Sequence, residues 1–507
     1  MKRIKALDIS LMVVPVSVYL TLVWHTIGQW SIWFDEAFSA YLMRFDVAGI
    51  FHYTAADVHP PFYYILLKIW TSIFGTDDIA LRAMSAVCIA AAIVVVYFFL
   101  QSVYGRRVAF GTAMVLSLSP MLIRFGQEAR MYGLVVLIAI TASWILYSAT
   151  RRPTRGKWVA YALLVALGMW THYFMAIVWL SHWVWRLGTI AYEGSRKTLL
   201  RRFFTRSWIK VHLLAIGLFL PWLPFMALQL GQIQGNGFWI RAVDADTMTD
   251  FATSNLLFLK HYEATSWLAV LVFSIIGLSL YLGWSAYKRQ TKPQKQAFAL
   301  VAALAIAGPV LLFIASLPPL RPSFVDRYLL TACFGLMSLI GIIIVLAYKK
   351  HRLLSIALAV CVSISLVIGV ANVYRLGNFN RESWETMAMK DVIHDINTRD
   401  KSNSPIIADS PWRFYEAIQY DTPRHNVYFI DEWSPYGSYN MLRDSDYRKI
   451  KNTSTFYDAH REYWYVGVYH DASPHMPAGA WQVVDSVEGP QTIDGSGTIY
   501  AYKLRAQ

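Results

Sequence analysis

A chain of 507 residues that is 56% hydrophobic and only 15% charged is too apolar for a soluble domain of this size. Its net charge of +14 would suit a nucleic-acid partner, but the location of the charge, in short loops between apolar runs, argues against one. The three cysteines, Cys88, Cys333 and Cys361, all lie within apolar runs, so no disulfide framework is expected in an exterior domain.

About eleven apolar runs approach the roughly 20 residues needed to cross a bilayer. In chain order they are Leu7–Ile27, Ile79–Val103, Val108–Phe125, Met131–Thr150, Trp158–Thr171, Phe174–Ile190, Val211–Leu230, Ser266–Trp284, Ala297–Leu317, Tyr328–Ala347 and Leu353–Asn372. The first run lacks a small-residue cleavage site and reads as a retained anchor. Phe62–Phe74 is apolar but short and carries Lys68, so it is expected to lie on the membrane surface as an interfacial helix. With that choice every basic loop, from Arg106 and Arg107 to Lys349, Lys350 and Arg352, falls on one side. The positive-inside bias then places the amino terminus in the cytoplasm and the carboxyl-terminal segment outside a plasma (inner) membrane.

Residues 374–507 are polar and alternate helix and strand signals. Trp384–Asn397 reads as an amphipathic helix, and Pro411 suits the first turn of another. Pro405–Ala408, Asn426–Ile430, Tyr463–Tyr469, Trp481–Val487 and Thr498–Lys503 read as strands. The expected architecture is an α-helical polytopic membrane protein, residues 1–373, with a long first exterior loop over 28–78 and a small α/β exterior domain over 374–507. Another loop, Gly231–Thr265, opens on Gly231, Gly235 and Gly237 and reads as a flexible strip of the kind that guides substrates. Asn452-Thr453-Ser454 matches a glycosylation acceptor triplet, a pattern common by chance.

Chemistry is expected where ionisable groups collect at the outer boundary, because placing them there is costly. Asp35 and Glu36 are adjacent and cannot point the same way on a regular element. One is a candidate general base in an aromatic-rimmed pocket, and the other caps or pairs locally; equally, both can cap the helix that follows. His59, ahead of Pro60-Pro61, can bind a phosphate, hold a metal or cap the next helix; no second histidine stands at ligand spacing, and neither a metal nor another cofactor is expected. Arg82, Arg124, Arg130, Arg321 and Arg327 fall at outer ends of spans, where a planar guanidinium suits a phosphate. The competing reading pairs Glu128 with Arg130 or Arg124, and Asp326 with Arg327 or Arg321. His172 and Tyr173 end the fifth span and can line the same cavity, whereas His182 reads as a core polar contact.

Taken in order, these residues resemble the GT-C membrane glycosyltransferases. The likeness rests on the acidic pair, then His59-Pro60-Pro61-Phe62-Tyr63-Tyr64, then Arg82 and Ser85, then Gln127-Glu128-Ala129-Arg130-Met131-Tyr132, then Asp326-Arg327-Tyr328-Leu329. It is strongest to the branch of protein O-mannosyltransferases and lipid A aminoarabinose transferases, which carry a lysine where His59 stands. The resemblance implies an inverting transfer of a mannose-like hexose or a pentose from a polyprenyl-phosphate donor to a lipid, glycan or protein acceptor at the outer face. It assigns Asp35 as the base, beside Glu36. Arg130 and Arg327 would hold the donor phosphate, with His59, Arg82 and Arg321 as further candidates, while Tyr63, Glu128, Tyr132, His172 and Asp326 would line the pocket. A transporter or flippase of a lipid-linked sugar is the alternative, but such proteins place polar groups near the midplane and commonly carry repeats, and no repeat is present.

Overall fold

The computed structural model describes residues 6–194, 198–236, 240–260, 263–319, 321–377, 379–380, 385–386, 388–469, 477, 479–490 and 498–506. Its helices, in chain order, begin with α1 (Ala6–Trp24), α2 (Phe34–Leu42), α3 (Val47–Ala56), α4 (Phe62–Phe74), α5 (Asp78–Tyr104) and α6 (Arg106–Ser117). They continue with α7 (Pro120–Gly126), α8 (Tyr132–Arg151), α9 (Arg155–Thr171), α10 (Met175–Glu193), α11 (Leu199–Phe203), α12 (Arg206–Phe219) and α13 (Leu223–Asn236). Then follow α14 (Thr247–Leu257), α15 (Ser266–Lys288), α16 (Lys292–Ala315), α17 (Leu330–Ala347) and α18 (Arg352–Arg375). Helices stand at all eleven predicted runs. Eight helical segments among the described residues are long and apolar enough to cross a membrane, and nine if the bent pair α6–α7 is one span. The protein is therefore a polytopic helical membrane protein.

Two expectations need correction. Val108–Phe125 is not one straight helix: α6 and α7 meet at 62°. Pro120 opens α7 and brings no N–H to bridge back to the preceding turn, so the ladder breaks there. The glycine strip is not loose either, since Gly231 and Gly235 lie within α13; Gly237 lies outside the described residues. Apolar residues before Gly231 carry the helix on, and a second helix, α14, occupies part of the same connection.

The chain divides into two compact units. The first comprises Met1–His25, Ala83–Pro224 and Phe238–Tyr374, and holds most of the apolar helices. Its helices cross closely where side chains are small. A Cβ on Gly341 of α17 would stand 2.6 Å from the Thr112 Cα of α6, so only glycine permits that approach. His182 is fully buried between Ser143 Oγ (2.8 Å) and the Tyr161 hydroxyl (3.0 Å), a satisfied polar contact inside this bundle.

The second unit comprises Thr26–Arg82, Phe225–Gly237 and Arg375–Gln507, so the long first loop groups with the carboxyl-terminal segment. That segment adds a short β1–β2 pair (Phe379–Asn380, Glu385–Thr386), α19 (Met389–Arg399) and β3 (Ile406–Ala408). After these come α20 (Pro411–Ile418), β4 (Val427–Ile430), α21 (Asn440–Arg443), β5 (Lys449–Ile450) and α22 (Thr453–Ala459). The chain closes with β6 (Glu462–Tyr469), β7 (Trp481–Glu488) and β8 (Thr498–Ala506). The sheet order is β5-β4-β3-β6-β8-β7, parallel from β5 to β6 and antiparallel beyond. Ile407, Tyr463, Tyr465 and Leu504 form its packed core. The predicted Trp384–Asn397 helix begins at Met389; Trp384 lies outside the described residues. Asn452 caps α22 through Thr455 N, at 3.1 Å.

Aromatic packing secures the first loop to this domain. Phe34 meets Trp412 edge-on at 5.1 Å, and Tyr41 meets Tyr415 at 5.0 Å. The Tyr420 hydroxyl donates to Asp78 at 2.9 Å and accepts from Ile32 N at 2.8 Å. Burial raises the Tyr41 phenol to about 12, so it stays neutral there.

Candidate active site

Within the second unit, α2 starts immediately after Trp33 and carries Asp35 and Glu36 in its first turn. The two carboxylates have different surroundings. Glu36 is 1% exposed and receives two hydrogen bonds from Arg82, Nε to Oε1 at 2.8 Å and Nη2 to Oε2 at 2.7 Å. Arg82 also donates to the carbonyls of Ile27, Trp30 and Ser31, each at 2.9 Å. All five guanidinium N–H groups are thereby spent on the protein, which leaves none for a donor phosphate. The donor count supports a scaffold role for Arg82 and Glu36. Asp35 is half-buried, and its carbonyl accepts from Ser39 Oγ at 2.9 Å.

His59 stands beside Asp57, Nδ1 to Oδ2 at 3.2 Å. It does not cap α4, which has Pro61 at that position and no side-chain cap. Tyr63, in the first turn of α4, is 1% exposed and packs edge-on against Tyr64. Among the described residues no group of three or more His, Cys, Asp or Glu is arranged to hold a metal ion.

Within the first unit, the break at α7 and the start of α8 bracket Gln127–Arg130. Gln127, Glu128 and Arg130 are all buried, at 1%, 2% and 3% exposure. The segment is held by its backbone: Arg130 N donates to the Glu128 carbonyl at 2.8 Å, and the Arg130 carbonyl accepts from Ser85 Oγ at 3.0 Å. A Cβ on Gly133 would meet the Ser85 carbonyl at 2.9 Å, so glycine lets α8 approach α5 and seats the segment there. Arg124 pairs with Glu128 at 3.2 Å, one of the two partners expected for that glutamate.

Aromatic rings wall this region. Tyr132 meets His172 edge-on at 5.7 Å, and Tyr328 stacks on Phe174 at 4.2 Å and lies 5.2 Å from His172. The His172 Nδ1 accepts from Phe174 N at 3.2 Å. Arg327 is buried, with its guanidinium 6.0 Å from the Tyr132 ring and 5.7 Å from the Tyr328 ring. Asp326 pairs with Lys260 at 3.3 Å, not with either arginine expected for it, and Arg321 is exposed. Lys260 escaped the sequence reading because it lies 66 residues before its partner, in a connection of no obvious pattern. The arrangement gathers Tyr132, His172, Arg327 and Tyr328 into one aromatic-lined neighbourhood within this unit, and the buried Arg130 lies two residues before Tyr132 in the chain. Guanidinium groups keep their charge when desolvated, so this is chemistry suited to an anion.

A family model described as dolichyl-phosphate-mannose-protein mannosyltransferase matches residues 58–225. The matched stretch is a third of the chain and contains His59, Tyr63, Arg82, Glu128, Arg130, Tyr132 and His172; Asp35 and Arg327 lie outside it. No curated protein matches by sequence. The crystal structure of ArnT from Cupriavidus metallidurans in the apo state is similar over 96% of this chain and 97% of that one, with 12% identity and a TM-score of 0.59. This chain therefore shares the fold of that ArnT structure along nearly its whole length. The same ArnT bound to undecaprenyl phosphate is similar with a TM-score of 0.56, again at 12% identity and over 96% and 97% of the two chains. The carboxyl-terminal α/β sheet and the helical bundle both fall within the length shared with that structure.

Proposed function

We propose that the protein is an inverting glycosyltransferase that moves a mannose-like hexose or a pentose from a polyprenyl-phosphate donor to a lipid, glycan or protein acceptor. The reaction takes place on the outer face of a plasma (inner) membrane, with the amino terminus cytoplasmic. The observation that carries this reading is the buried Arg130, with Arg327 beside the Tyr132 ring, within a fold shared with ArnT. The lipid seen with ArnT has the same chemistry as the proposed donor's leaving group.

The chemistry follows from charge. An acceptor hydroxyl attacks the anomeric carbon opposite the phosphate; the new C–O bond forms as the sugar–phosphate C–O bond breaks. Asp35 takes the hydroxyl proton, and the polyprenyl phosphate leaves with its electron pair. Arg130 and Arg327 stabilise the negative charge that develops there. Of the two acids, Asp35 is the base, because Glu36 is occupied by Arg82. His59 and Asp57 form a secondary polar pair on the same loop. No nucleotide-binding glycine loop is needed, because the donor arrives already attached to lipid.

Purified protein incubated with polyprenyl-phosphate mannose or polyprenyl-phosphate aminoarabinose tests the reading. Envelope lipids and glycans compared by mass spectrometry with and without the gene identify the acceptor. Release of polyprenyl phosphate with a glycosylated product supports it. A protein that moves intact donor across a vesicle bilayer and never cleaves it is a transporter, and the proposal fails.

A further inference from the structure

A groove of about 880 Å³ runs between α10 and α16 in the first unit and shares no lining residue with the candidate site described above. Its two ends differ in chemistry. At one end stand Lys292, Lys295, Gln296, Tyr192 and Tyr287. The Lys295 ammonium donates toward the Tyr192 hydroxyl at 3.5 Å and lies 5.3 Å from the Tyr287 ring centroid. The positive end of the α16 dipole falls at the same place, since that helix begins at Lys292. Among the described residues no carboxylate lines the groove.

Beyond this end the floor turns apolar and shallow-sided: Ala299, Ala302, Ala303 and Ala307 follow at helical spacing, with Ile306 and Val310 as walls. Opposite them, a side chain at Gly188 would meet nothing within 4 Å. The two helices are tied under the cationic end, where Trp185 Nε1 donates to the Gln296 carbonyl at 2.9 Å. The groove therefore has a fixed floor. From Lys295 to Leu311 the helix rises roughly 24 Å, close to half of a bilayer with its headgroups, about 20–22 Å.

We propose that this groove is a binding site for one anionic phospholipid, its phosphate against Lys292 and Lys295 and one acyl chain along the alanine floor. Charge complementarity selects the headgroup, and the missing side chains at Gly188 and the alanines admit the chain. A phosphate alone satisfies only the basic end. A zwitterionic phospholipid brings the same phosphate and chain but sets a choline cation beside the lysines, which offsets the attraction. The site is independent of the transferase reading, because it uses none of the residues assigned to that reaction.

Native mass spectrometry of the full-length protein, titrated with phosphatidylglycerol or phosphatidylcholine, tests this. The wild type binds one phosphatidylglycerol in preference to phosphatidylcholine. Lys292→Ala with Lys295→Ala lowers that affinity about 10–30-fold, from two lysine–headgroup attractions. Lys292 is exposed and Lys295 partly so, and thermal unfolding of the double variant checks that it still folds. Gly188→Leu fills the chain path and weakens phosphatidylglycerol while leaving weak binding of glycerol phosphate unchanged. Equal affinity for the two lipids overturns the proposal, as does wild-type affinity in the double lysine variant. If glycerol phosphate binds as tightly as the lipid, the site is an anion site only and the proposal also fails.

Discussion

Glu36 and Arg82 lie 46 residues apart in the chain and form a two-pronged ion pair that is almost wholly removed from solvent. Three backbone carbonyls of the first loop complete the arginine's coordination. This cluster sets the entry to α2, and α2 in turn carries Asp35. A pair that pins the loop presenting the proposed base thus acts on chemistry only through position.

Breaking the pair should therefore cost stability. Arg82→Ala leaves a buried carboxylate and three unsatisfied carbonyls, a loss of about 3–5 kcal/mol. Arg82→Lys keeps the charge but loses the fork and should also be destabilising. Thermal unfolding in detergent measures both. A stable Arg82→Ala protein that has lost only turnover would show that Arg82 acts on substrate instead.

Asp35→Asn should leave folding and membrane insertion unchanged while lowering transfer by roughly 10²–10⁴-fold, the usual weight of a positioned base. Single-turnover assays with a defined lipid-linked donor separate this from a binding defect. A wild-type rate in this variant removes Asp35 from the mechanism.

Arg130→Lys and Arg327→Lys keep positive charge but lose the planar donor fork. Each should slow transfer about 10²–10³-fold, as expected when a preorganised donor to a developing anion is lost. Donor affinity should fall less than turnover if the interaction tightens on the leaving phosphate. Equal losses in affinity and rate would mean that the arginines only bind ground-state lipid.

Acid should loosen the carboxyl-terminal domain through Asp400. Burial pushes this carboxyl up, but hydrogen bonds from Ser402, Lys503 and Trp464 outweigh it and hold the group well below the usual range. Lys503 Nζ is 2.9 Å away and Trp464 Nε1 2.8 Å. A carboxyl whose value is lowered by folding stabilises the domain above its unfolded value of about 3.9. That contribution is lost as pH falls through the lower folded value. Trp464 fluorescence of the full chain followed below about pH 4 should report the loss, and Asp400→Asn should flatten the profile. An unchanged profile in the variant assigns the transition to other groups.

The apolar periodicity of the chain was enough to place a helix at each of the eleven long apolar runs and the principal strands of the carboxyl-terminal segment, because burial against lipid or a sheet core leaves a local mark. Pro411 at a helix start and the Tyr463–Tyr469 strand are legible for that reason. The kink at Pro120 and the helical state of Gly231 and Gly235 were not, since neighbouring packing decides whether such residues break a helix.

The amino-acid sequence alone showed that acids, arginines and a histidine collect beside long apolar runs, in an order that resembles the GT-C membrane glycosyltransferases. Only the tertiary structure separated Asp35 from Glu36, by closing Arg82 over the second. It likewise gave Asp326 to Lys260, and brought Arg327 beside Tyr132 from nearly two hundred residues away. Ion pairs and ring contacts act over a few ångströms of space, and distance along the chain says nothing about which charges will meet there.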